Sequence, residues 1–144
     1  MGDKLYRSDA EVEEVLRGFE SCELPAAGFD HGRHLAVALA LLVRLGGEEE
    51  AAARMREGLA RFIAANGVDP RKYHETLTLF WVRRVGVFAA ARAGRGRTLA
   101  QLANELVEEC GDSRLVYDYY SKALLDSGEA RARWVEPDLK PLDF

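Results

Sequence analysis

Cysteine is scarce in this chain of 144 residues. There are two, Cys22 and Cys110, too few for a disulfide framework or a four-thiolate zinc site. Proline is scarce too, at four, while 48% of the residues are hydrophobic and 31% charged, which excludes a disordered or collagen-like chain. Basic residues are not in surplus, since the formal net charge is −4. Neutralising a phosphate backbone needs a basic excess, so nucleic acid is not an expected partner. Long hydrophobic runs are missing as well. The longest, Leu35 to Val43, ends at Arg44, well short of the roughly 18 residues that span a bilayer. No membrane partner is expected, and the run reads as a buried core helix. The opening MGDKLYRSDAEVEEVL has no apolar stretch behind its charges, so no signal peptide is expected. Tyr6 stands where a myristoylation pattern needs Ser or Thr. The expectation is a cytoplasmic protein with one domain over residues 1–144, long enough to bury about 68–70% of its unfolded surface.

What is present is helical periodicity punctuated by glycine. Ser8 to Glu11 reads as a capping box opening a helix from Asp9 to about Phe19. Asp30 can cap a second from His31 to Leu45, stopped by Gly46-Gly47. Glu48-Glu49-Glu50 suits the positive end of a third, which ends at Asn66-Gly67. Asp69-Pro70 is expected to start a fourth, running to about Gly94. Thr98 to Gln101 is a second capping box, for a fifth helix closed by Gly111. Ser113 is expected to cap a sixth, from Arg114 to about Asp126. The residues from Trp134 onward hold two prolines and read as an extended tail, whose Trp134, Leu139, Leu142 and Phe144 are expected to pack on the helices. No strand and no solenoid repeat is read. The fold class is all-α, an up-and-down bundle of five or six helices with an extended C-terminal tail.

Histidine is rarer still than proline. The three, His31, His34 and His74, all fall at the expected starts of the second and fourth helices. In an up-and-down bundle these helices run the same way, so their N-termini share one end of the molecule. His31 and His34 are spaced i, i+3 and share a helix face. His74 shares a face with Thr78, Trp81 and Val85. The positive end of a helix dipole disfavours imidazolium, and neutral imidazole is the form that ligates metals or acts as a base.

The segments Phe29-Asp30-His31-Gly32-Arg33-His34-Leu35 and Tyr73-His74-Glu75-Thr76-Leu77-Thr78 resemble those of a small all-helical bacterial family. Its members carry aromatic-x-His-x-x-His-Leu and Tyr-His-Glu-Thr-x-Thr motifs. The resemblance spans about Phe19 to Phe80 and implies a shared site without naming a reaction. Where that family has Glu-Trp-Thr before its first His, this chain has Gly28-Phe29-Asp30. Gly28 cannot take a role for that Glu, which would here be absent or fall to Glu23 or Asp30.

Three readings follow. In the first, His31, His34 and His74 hold zinc or iron and the chain is a small metal-dependent enzyme acting on a small molecule. Glu75 or Glu23 would then move a proton, and Tyr73, Thr78, Trp81 and Tyr117 would line the substrate pocket. In the second, the same His/Glu pocket works without metal, as a ligand-binding or acid–base site. In the third, the histidines are caps and packing in a non-catalytic interaction module. Hydrolysis, lyase chemistry and oxygenation are not separated by these residues, nor is an oligomeric state specified. Cys22 reads as a free thiol and Cys110 as structural. The basic stretch from Arg83 to Arg97 reads as a solvated helix face and loop.

Overall fold

Short polar side chains decide where the helices begin. Ser8 Oγ accepts from the Glu11 amide at 3.4 Å and starts α1 (Asp9–Glu20). Glu11 reaches back one residue further than a capping box requires and accepts from the Arg7 amide at 2.7 Å. Asp30 accepts from the Arg33 amide at 2.9 Å to start α2 (His31–Leu45), and Gly46 ends it with a φ of 81° that non-glycine residues avoid. Then follow α3 (Glu48–Ala65), α4 (Glu75–Arg92) and α5 (Leu99–Cys110), the last opened by the complete Thr98–Gln101 capping box. The computed structural model describes residues 5–144, and among these there is no strand.

Packing follows from α2. Its residues Leu35 to Leu42 are all buried in succession, as suits a helix apolar on every side. It lies against α1, α3, α4 and α5 and forms the axis of the bundle. Gly58 lets α1 close on α3, since a Cβ there would sit 2.5 Å from Phe19 Cε2. Phe19, Leu35, Leu39, Val85 and Leu106 are sealed in this core, each contributing about 1.5–3 kcal/mol of transfer free energy. A second cluster lies on the other side of α4. It gathers Phe80, Val116, Tyr119, Tyr120 and Leu125, with Trp134, Val135, Leu142 and Phe144 of the tail against it. Trp81 touches both clusters.

Two expected elements are redrawn. The fourth helix does not begin at Asp69-Pro70. Asp69 caps only a 3-10 turn, Pro70–Lys72, and α4 starts at Glu75 behind an extended His74. The expected sixth helix, Arg114 to about Asp126, is instead a 3-10 segment, Ser113–Asp118, followed by the short α6 (Lys122–Leu125), and a further short helix not expected, α7 (Gly128–Ala132), lies beyond it. Ser121 and Ser127 explain the breaks. Each accepts from an amide three residues on, as a cap does, at 3.1 Å, and serine favours this role over a helix interior. The tail is extended and fastened as expected, except that the Leu139 side chain points outward, 56% exposed. Its backbone is what binds, through the Leu139 amide to the Tyr119 carbonyl at 2.9 Å. No helix among the described residues is long and apolar enough to cross a membrane.

Candidate functional site

The N-termini of α2 and α4 do meet at one end of the bundle. Between them, the last turns of α3 and the Ser113–Asp118 segment lies a cavity of about 600 Å³, within the usual size of small-molecule sites. All three histidines line it, and so do Tyr73, Thr78, Trp81 and Tyr117. Its apolar wall comes from Ala38 of α2, Met55, Leu59 and Phe62 of α3, and Leu77 and Val82 of α4.

The three imidazoles differ in what they have left to offer. His74 is spent. Its Nδ1 accepts from the Leu77 amide at 3.1 Å, capping α4, and its Nε2 lies 2.7 Å from the Leu125 carbonyl. A carbonyl only accepts, so Nε2 carries the proton and the ring is neutral. Burial holds this imidazole below its ordinary value. His31 is half spent. Its Nε2 donates to the Cys110 carbonyl at 3.0 Å, and its ring meets Trp81 edge-on at 4.5 Å. His34 makes no side-chain hydrogen bond among the described residues. Its ring stacks on Phe29 at 4.0 Å, and Phe29 in turn stacks on Phe19. Burial, aided by the neighbouring His31, pushes the His34 imidazole down to about 4.

The expected metal set is therefore not assembled. The rings share a cavity without converging, and both nitrogens of His74 are committed to backbone. Among the described residues no three His, Cys, Asp or Glu side chains form a group that could hold a metal ion. The zinc or iron expected on His31, His34 and His74 thus has no such cage in these residues.

The expected proton carriers are also placed elsewhere. Glu75 does not line the cavity. It takes a two-point ion pair from Arg56, at 2.7 and 3.1 Å, and a hydrogen bond from the Tyr73 hydroxyl. The Arg56 guanidinium, with help from Tyr73, holds its carboxyl below the usual range, so it is a poor base. Burial and this Glu75 bond push the Tyr73 phenol up to about 12. Glu23 is exposed in the loop after α1 and takes no part in the cavity lining. Thr78 donates to the His74 carbonyl at 2.8 Å, a back-bond within its own helix. Thr76 is not back-bonded; it ties α4 to the tail, donating to the Arg133 carbonyl at 2.7 Å and accepting from the Val135 amide.

Residues not anticipated also reach the cavity. Phe29 is the platform for His34, and an aromatic two residues before the first His was a signal for it. Lys72 and Ser113 stand in the wall with no side-chain partner among the described residues. The basic stretch is an ion-pair ladder to α5: Arg84 to Glu109, Arg92 to Glu105 and Glu109, and Arg97 to Glu105. No family model matches the chain, and neither a curated protein nor a solved structure matches it.

Proposed function

We propose that this protein binds a small, largely apolar molecule in the cavity between the N-termini of α2 and α4, with His34 as the hydrogen-bonding group on its wall. The carrying observation is the state of His34: an imidazole among apolar side chains, stacked on Phe29 and without a hydrogen-bond partner among the described residues. The ring is half-buried and its nitrogens are not sealed off by protein, so they are free to pair with a molecule that enters the cavity. A ligand atom is the partner that the apolar lining leaves room for. Binding is favoured over acid–base catalysis because the carboxylate beside the site, Glu75, is neutralised by Arg56 and turned away. An imidazole with a value near 4 is neutral at physiological pH and a weak base.

Titration with the neutral fluorescent probe N-phenylnaphthylamine tests this. Saturable enhancement at one probe per chain is expected, with energy transfer from Trp81. Ala38→Leu, which fills the cavity from the α2 side, should weaken the probe at least tenfold while leaving the helical circular dichroism intact. No saturable binding to the folded protein, or equal binding to a folded Ala38→Leu variant, would overturn the proposal.

A further inference from the structure

The charge of the cavity wall points to the class of ligand. Among the described residues no aspartate or glutamate lines it, and the one permanently charged residue in the lining is Lys72. Lys72 forms no ion pair among the described residues. The carboxylates on the neighbouring segments are already matched: Asp69 by Arg71 at 2.8 Å, Asp112 by Arg114 at 3.0 Å, and Glu75 by Arg56 at 2.7 Å. Ser113 and Tyr117, also in the wall, keep hydroxyls without a partner among the described residues. Lys72, Ser113 and Tyr117 are exposed and so mark the mouth, whereas Ala38 and Met55 are buried and mark the depth. A cation and two hydroxyl donors at the mouth of an apolar chamber suit a ligand with an anionic head and an apolar body.

We infer that the cavity takes an apolar monocarboxylate, its carboxylate at the mouth against Lys72 and its hydrocarbon body among Ala38, Met55, Leu59 and Val82. This rests on the binding reading above. The geometry selects a monoanion, because among the described residues Lys72 is the one unmatched cation at the entrance. It disfavours an amine, which would meet Lys72 with like charge.

Displacement of the bound neutral probe by decanoate, decanol and decylamine tests the inference. Decanoate should displace it at about fivefold lower concentration than decanol, the scale of one exposed charge-assisted contact, and decylamine should be the poorest of the three. Lys72→Met should remove the advantage of decanoate, and Lys72→Glu should reverse the order, each compared with decanol on the same variant. Equal displacement by the three, or an order that survives Lys72→Glu, would overturn the carboxylate assignment while leaving the probe-binding site standing. Failure of the probe itself would remove the site as a whole.

Discussion

His34 is the residue on which the site depends, and its titration has a consequence for stability. Its imidazole sits at about 4 in the folded chain against 6.5 for an unperturbed one. The unfolded chain therefore binds that proton more readily. Stability is complete above about pH 6.5 and declines as pH falls toward 4, by up to about 3 kcal/mol. His74, lowered by burial, acts in the same direction. His34→Phe keeps the stack on Phe29 and removes the titration, so its stability from urea melts should change much less between pH 6.5 and 4. An unaltered pH dependence would place the acid sensitivity in other groups. At this scale the sequence was informative about place and weak about role. The spacing of His31 and His34 brought both to the cavity, and the turn chemistry before α4 brought His74. What each nitrogen binds depends on the Leu125 and Cys110 carbonyls, 51 and 79 positions away, and no local pattern encodes such a distant acceptor.

At the scale of the element, α4 is the instructive case. Proline after aspartate is a good helix start, but here it serves a single 3-10 turn, and the start falls on His74. The imidazole does two jobs there, accepting from the Leu77 amide and donating to the Leu125 carbonyl. His74→Ala removes the cap, worth about 1 kcal/mol, and leaves a carbonyl unpaired at about 1–3 kcal/mol. A loss of about 2–3 kcal/mol in urea denaturation is expected. His74→Asn should recover the capping part, because Asn is a good N-cap, but not the link to α6. Equal stability of the alanine variant and the parent would mean that the ring is not holding α4. Helix starts were otherwise legible wherever a short polar residue stood before an apolar repeat, as at Ser8, Asp30 and Thr98. The stretch from Arg114 to Asp126 has the apolar spacing of one helix, yet Ser121 interrupts it as a cap, and Ser127 starts another short helix beyond it.

At the scale of the whole molecule, the tail is a structural member. Thr76 is fully buried on α4 and joins the Arg133 carbonyl to the Val135 amide. The Tyr120 hydroxyl donates to the Val135 carbonyl at 2.7 Å, and Asp138 accepts from both the amide and the hydroxyl of Ser121. Thr76→Val keeps the shape and strips both of the Thr76 bonds. It should cost about 1–3 kcal/mol and expose Trp134, read as faster quenching of tryptophan emission by iodide. Unchanged quenching would show that the tail is held by its apolar residues alone. The helical class was readable from periodicity and glycine stops, but the tail's path was not, because it is set by single hydrogen bonds to side chains far back along the chain. One consequence concerns α2. It is enclosed along most of its length, yet its first turn carries His31 and His34. That turn is anchored like the root of a tooth, so the back of the chamber stays put. Whatever enters passes the thin front panels, the single turns Ala26–Gly28 and Pro70–Lys72 and the longer Ser113–Asp118, each of which gives at least one residue to the wall.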